Sequence, residues 1–155
     1  MPKRIHLIAG ILSPLLIATF FTSTVLVELL GSHAAVAQLK ALIVTPGLWV
    51  LLPCLAATGG TGMVIGKSRK GRLVEGKRKR MPFIAANGLL VLVPCAIFLN
   101  HWASAGIFDT RFYTVQAIEL LAGATNVTLL ALNVRDGLRL AGRLRATASG
   151  ATQPS

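Results

Sequence analysis

Four long apolar runs dominate this chain of 155 residues. In chain order they cover about residues 5–30, 39–66, 82–102 and 112–134. A bilayer core about 30 Å thick is crossed by roughly 20 helical residues, so each run is long enough to span a membrane. The only acidic residues inside the runs are Glu28 and Glu119. The pattern predicts an all-α fold, an integral membrane bundle of four antiparallel helices.

Composition excludes the common classes of soluble protein. Hydrophobic residues make up 54% of the chain and charged residues only 14%, with a mean hydropathy of +0.68. Soluble domains carry about 25% charged residues. Two cysteines and three histidines are too few for a disulfide scaffold or a Cys-rich zinc module. No motif sits in the setting that a soluble catalytic template needs, so the sequence leans against an enzyme and predicts no catalytic residue.

The distribution of positive charge predicts the orientation. Of the 16 Lys and Arg residues, all but Lys40 and Arg111 lie before the first run, between the second and third, or after the fourth. Because cytoplasmic loops are enriched in Lys and Arg, both termini and the central loop are expected in the cytoplasm. The predicted location is a bacterial inner (plasma) membrane. Residues 1–145 are expected to form one four-span domain, followed by a disordered tail over 146–155.

Two segments allow alternative interpretations. The N-terminal run, followed by Ala35, Val36 and Ala37, resembles a secretory signal peptide, but it is nearly twice as long as a signal core and is expected to remain as the first span. The basic segment 67–80 begins at Lys67 and ends at Arg80. It is interpreted as a topology determinant against anionic lipid headgroups, with no nucleic acid as partner.

Polar residues interrupt the apolar runs at helical spacing. Glu119, Asn126 and Asn133 recur every seven residues, which is close to two helical turns and places them on one face. Amide and carboxyl groups that face lipid are costly, so this face should point into the bundle. The predicted polar seam consists of Asn87, Gln116, Glu119, Asn126 and Asn133.

A second group of polar residues is expected at one depth, near the outer face of the membrane. It contains Glu28, His33, His101 and Glu119. A desolvated carboxylate must be paired, protonated or bound to a cation. The candidate ion pairs are Glu28 with His33 or Lys40, and Glu119 with His101 or Arg111. The first interpretation is therefore a polar cap that fixes the register of the helices.

Three functional interpretations compete with the polar cap. His33 and His101 are a candidate pair of axial ligands for one haem b, with Arg111 near its propionates. Alternatively, Glu28, Glu119, His33 and His101 are candidate nitrogen and oxygen ligands of a divalent metal. A third possibility is a polar transport path along the seam. A chain this small is then expected to form a homo-oligomer or to join a larger membrane complex.

One short segment recurs in the second and third runs. Residues 47–54 (GLWVLLPC) match residues 88–95 (GLLVLVPC) at six of eight positions. The two segments are expected to run through the membrane in opposite directions, so the match is a candidate inverted repeat of the kind found in transporters. Cys54 and Cys95, at the ends of the segments, are interpreted as inert packing thiols.

Two further segments have the look of family motifs, namely 80–88 (RMPFIAANG) and 133–139 (NVRDGLR). On these, the chain resembles the small uncharacterised four-span proteins of bacterial inner membranes, a resemblance that carries over no functional residue. Its architecture is also similar to four-helix membrane cytochromes b. That resemblance implies an electron carrier or sensor with one b-type haem. The alternative function is a non-haem membrane module: a small transporter, a metal-binding protein or a subunit that stabilises a complex.

Overall fold

The computed structural model describes residues 2–66 and 72–150, and within these ranges everything is helical except the connections at 31–32 and 105–109. There are six α-helices and two π-helical segments in this part of the chain. The elements are α1 (Pro2–Leu30), α2 (His33–Leu42), π1 (Ile43–Leu48), α3 (Trp49–Gly66), α4 (Arg72–Asn87), π2 (Gly88–Leu92), α5 (Val93–Ser104) and α6 (Thr110–Gly150).

Four of the resulting helical rods are long and apolar enough to cross a membrane. They are Leu7–Leu30, His33–Thr61, Lys79–Ser104 and Thr110–Arg139. The prediction of an all-helical chain with four candidate spans is therefore confirmed. The second rod begins at His33 rather than near residue 39, because Ser32 caps it by accepting a hydrogen bond from the Ala35 amide at 3.3 Å.

Two sequence predictions fall partly outside the described residues. The basic segment 67–80 enters them only from residue 72, and the tail only as far as residue 150. Over 146–150 the backbone continues α6, where the sequence had predicted the start of a disordered tail. The expectation for 151–155 lies outside the described residues.

The second rod is interrupted by a kink within π1, and the third rod by the π-helical segment π2. In π1, Thr45 has extended backbone angles (φ −139°, ψ 112°) just before Pro46. In the third rod, π2 lies just before Pro94. A proline has no amide hydrogen and clashes with the carbonyl four residues earlier, which for Pro94 lies inside π2. The interruptions therefore follow from the prolines in otherwise apolar helices.

The bundle core consists of two apolar clusters, one nearer each end. At the end where the 31–32 and 105–109 connections lie, here called the loop end, the buried cluster is Val36, Cys95, Leu99, Ala103 and Phe112. Farther along, the second cluster is Ile17, Leu51, Ile84 and Leu130. Helix α1 packs chiefly on α3, and α6 contacts α1, α4 and α5. Because α6 touches three other helices, its polar face is the one enclosed by the bundle.

Glycines admit two aromatic rings of α1 between the helices. A Cβ atom added to Gly123 of α6 would lie 3.0 Å from the Phe21 ring, and one added to Gly47 would lie 2.8 Å from the Phe20 ring. These positions require a residue without a side chain, so close approach between helices depends on them.

Candidate functional site

The polar residues of α6 lie on its enclosed face. Gln116, Asn126, Asn133 and Asp136 are all buried, although the surrounding residues are apolar. The rise of an α-helix is 1.5 Å per residue, so the seam from residue 116 to residue 136 is about 30 Å long. It therefore matches the thickness of a bilayer core.

The middle of the seam is an amide pair. Asn87 donates from Nδ2 to Asn126 Oδ1 at 2.9 Å and also to the carbonyl of Ala122 at 2.9 Å. Asn126, which is 2% exposed, donates in turn to the Ile84 carbonyl at 3.4 Å. The pair joins α4 to α6 through hydrogen bonds in an otherwise apolar layer.

Asn133 lies about two helical turns farther along α6 than Asn126, in the direction away from the loop end. Its Nδ2 is 3.5 Å from the sulfur of Met81, and among the described residues its Oδ1 has no hydrogen-bond partner. Asn87 bonds Asn126 rather than Asn133, so the pairing depends on how far α4 is displaced along α6.

At the loop end, a buried ion pair joins α2 to α6. Lys40 Nζ donates to Glu119 Oε2, with side-chain exposures of 1% and 11%. The same oxygen accepts a hydrogen bond from Gln116 Nε2 at 3.0 Å. Isolated ions are very costly to bury, so the two charges stabilise each other only as a pair.

Sequence reasoning named Lys40 as a candidate partner of Glu28 but not of Glu119. Glu119 was expected to pair with His101 or Arg111, but both are exposed. The available signal was that Lys40 lies within an apolar run, at the depth expected for Glu28 and Glu119. A lysine in that position must find an anion, and the sequence did not decide between the two carboxylates.

A second ion pair lies at the opposite end of the seam. Arg80 Nη1 of α4 donates to Asp136 Oδ2 of α6 at 2.7 Å, and Asp136 is buried. Arg135 also approaches the other carboxylate oxygen of Asp136, at 3.6 Å. Asp136 had no predicted role, although it follows Asn133 by three residues and therefore shares its face.

Glu28 is half-buried at the C-terminal end of α1, close to the Lys40–Glu119 pair. The charges that act on it come from Lys40, Glu119 and His33. Its Oε1 atom is buried and has no hydrogen-bond partner in the described part of the chain. Of the two carboxylates predicted at this depth, one is therefore ion-paired and the other is not.

Both histidines of the predicted haem site are exposed at the loop end. His33 is exposed and stacks on Phe108, with ring centroids 4.0 Å apart and planes 9° from parallel. Its Nε2 atom lies 3.4 Å from the Tyr113 hydroxyl. Both the face and the ligating nitrogen of His33 are thus in contact with this chain's own side chains. His101 and Arg111 are exposed, and haem binding stays a prediction.

The metal hypothesis involves the same region. Across residues 2–66 and 72–150, no three His, Cys, Asp or Glu side chains are grouped closely enough to hold a metal ion. Glu28 and Glu119 share an environment with Lys40, whose positive charge opposes a second cation there. The metal site also stays a prediction.

The two cysteines are free, and Cys95 is buried beside the ion pair. It belongs to the loop-end apolar cluster, and its thiol interacts electrostatically with Glu119 and Lys40. Its thiol is therefore placed to report on opening of this region.

The sequence matches no family model, no curated protein and no solved structure.

Proposed function

We propose that this chain is a small proton-linked membrane transport module in which α6 is the shared element of two gates. The observation that carries the proposal is the pair of ion pairs, Lys40–Glu119 and Arg80–Asp136, one toward each end of a buried polar seam. Each has at least one partner that is buried. A membrane protein gains little stability from such charges, so their presence favours a function for them.

The cations of the two ion pairs lie at similar distances before the two copies of the repeat. Lys40 precedes Gly47 by seven residues, and Arg80 precedes Gly88 by eight. From Gly47 and from Gly88 the chain continues into the matching segments that end in Pro-Cys. The helix that leads into each copy thus supplies one cation to an acidic residue of α6, Glu119 in one case and Asp136 in the other.

The interruptions of the helices follow the same repeat. The segment π1 includes Gly47, and π2 begins at Gly88. Broken or π-helical segments are common at functional sites, and inverted repeats with discontinuous helices are typical of secondary transporters. With spans that alternate in direction, the two copies are related across the middle of the membrane, near the Asn87–Asn126 pair.

This arrangement suggests how a proton acts on a gate. When a proton binds the carboxylate of Glu119, its charge is lost and its attraction for Lys40 falls. The same applies to Asp136 and Arg80 at the opposite end. Opening one end therefore requires protonation or displacement of one carboxylate, while the intact pair keeps the other end closed. The polar seam between them supplies hydrogen-bonding groups in place of water.

The proposal includes a location and a partner. The chain lies in a bacterial inner membrane, with its termini and the basic segment 67–80 in the cytoplasm and in contact with anionic lipid headgroups. A second copy of the chain encloses the path, because a single bundle of four helices is too small to enclose one by itself. Stabilisation of a larger complex is the rival role for the same seam.

Proton flux into vesicles tests this function. The purified protein is placed in proteoliposomes with an entrapped pH dye, and a potassium gradient with valinomycin sets the membrane potential. We expect potential-driven acidification that falls at least tenfold in E119Q and in D136N. The exposed carboxylate of Glu75 provides the matched control, E75Q, which should keep wild-type flux. Wild-type protein that is folded and inserted yet gives no flux at either polarity would overturn the proposal.

Haem binding has a separate test. An absorption spectrum of the purified protein, oxidised and then dithionite-reduced, shows a Soret band that shifts on reduction if haem is bound. In that case H33A and H101A should each lose the band. A colourless folded protein from haem-replete cells would exclude haem binding.

A further inference from the structure

The loop-end site has one more negative group than positive. Glu28 interacts electrostatically with Glu119 and with the ammonium group of Lys40, and Lys40 forms its ion pair with Glu119. His33, the remaining titratable neighbour on the loop side, is exposed and stacked on Phe108. If both carboxylates were ionised, half-buried Glu28 would add an uncompensated negative charge next to the ion pair, and its partial desolvation makes that charge costly.

Two acceptor atoms at this site have no donor among the described residues. One is Glu28 Oε1, and the other is Gln116 Oε1. Gln116 is 4% exposed, and its amide nitrogen is already bonded to Glu119 Oε2. Exchanging the amide oxygen and nitrogen would set two acceptors against each other, so the orientation of this amide is fixed. An unused, buried acceptor beside the ion pair indicates a missing hydrogen-bond donor.

We propose that the loop-end site binds one exchangeable proton, carried by Glu28 while Lys40 is paired with Glu119. A bound proton supplies both the missing positive charge and the missing hydrogen-bond donor. It cancels the excess negative charge, and it turns a carboxylate oxygen into a donor. A sodium or potassium ion supplies charge but no donor, and it is repelled by the adjacent ammonium group of Lys40.

Side-chain exposure decreases stepwise along the route of the proton from solvent to the bundle core. His33 is exposed, Glu28 is half-buried, and Lys40 and Gln116 are buried. Transfer inward breaks the O–H bond of Glu28 and forms one on Glu119. Lys40 keeps its three protons and exchanges one carboxylate partner for the other. Cys95 on α5, the other titratable group in contact with this region, is not required to gain or lose a proton.

This inference deepens the proposed function by naming the residue that holds the coupling proton, and it rests on that function only for what the proton is used for. Infrared difference spectroscopy on the full chain in lipid tests it at neutral pH. The wild type should show one protonated-carboxyl C=O band that shifts in D2O. E28Q should remove the band, and E75Q, at an exposed glutamate, should keep it.

A second variant keeps the test decisive if E28Q does not fold. In K40M neither carboxylate has a cation, so the band should about double in area. Replacing potassium by sodium in the buffer should leave the wild-type band unchanged. A wild type without the band, a band that survives in E28Q, or a band abolished by sodium would each overturn the inference. Absent flux with the band present counts against transport alone, and flux without the band counts against the proton site alone.

Discussion

At the scale of single residues, the interaction between Lys40 and Glu119 dominates the loop end. Breaking a buried pair by removing one charge typically costs about 3–5 kcal/mol, because the other charge is left desolvated. Replacing both partners with apolar side chains of similar size is often neutral or stabilising. Each hydrogen bond of the seam amides contributes less than the ion pair, since a hydrogen bond between membrane helices is worth about 0.6–2 kcal/mol.

Stability measurements on single and double variants distinguish the removal of one charge from the removal of both. We expect K40M and E119L each to lower the free energy of unfolding by about 3 kcal/mol or more. The double variant K40M/E119L should regain most of that loss, because no uncompensated charge remains. Reversible unfolding in mixed micelles gives the values, and K79M, at an exposed lysine, is the control. Additive losses in the double variant would contradict a direct pair.

At the scale of helices, small residues and interruptions decide how α6 meets its neighbours. Gly123 accepts the Phe21 ring, whereas the space around Gly137, on the same helix, is open to 4 Å. Both lie within α6, so any intrinsic helix preference is the same at the two sites. A difference between them therefore measures packing against α1.

Alanine substitutions at the two glycines should have opposite effects. G137A should raise the free energy of unfolding by about 0.5–1 kcal/mol, because alanine favours helix over glycine. In G123A the new Cβ meets Phe21 at 3.0 Å, so we expect the contact to offset this gain and lower stability. The same micelle assay compares the two variants. Equal stabilisation at both positions would show that α1 does not pack closely on α6.

The gates proposed for the two ends can be examined through Cys95. In a C54A background its buried thiol should react slowly with a water-soluble maleimide. We expect E119Q to speed this reaction at least fivefold, because Lys40 loses its anion and the cluster around Cys95 opens. D136N changes the other end and should leave the rate at the C54A value. Equal acceleration by both variants would argue against separate gates.

At the scale of the whole molecule, charge asymmetry and apolar surface determine how the chain sits in a bilayer. Large apolar side chains such as Leu30, Trp49 and Leu90 are exposed around the bundle. Lipid contact removes this surface from water at about 25 cal/mol per Å². Most of the positive charge lies before the first apolar run, between the second and third, or after the fourth, so the positive-inside rule favours one orientation.

Thiol labelling in intact cells tests the orientation. In a chain with both native cysteines replaced, A105C at the loop end should react with an impermeant maleimide added outside. G142C, near the other end, should react only after the membrane is permeabilised. Both positions are exposed, so accessibility reports sidedness rather than burial. The reverse pattern would show that the positive-inside rule fails for this chain.

The sequence predicted the helical class, the four candidate spans and the shared face of Glu119, Asn126 and Asn133 on α6. Each of these depends on local hydropathy and helical period. These signals need only the spacing of residues along one helix. The repeated segments 47–54 and 88–95 were also visible. Their coincidence with π1 and π2 was not, because a π-helical turn depends on where each proline displaces the backbone.

Tertiary structure decided the pairings. The relative displacement of two helices sets which side chains meet, so Asn87 bonds Asn126 rather than Asn133, and Lys40 rather than Arg111 binds Glu119. A single sequence fixes the depth of a residue through its distance from a helix end, but not the order of helices around a bundle. Polar partners in an apolar core are chosen by that order, because each buried charge binds the nearest opposite charge that packing brings to it.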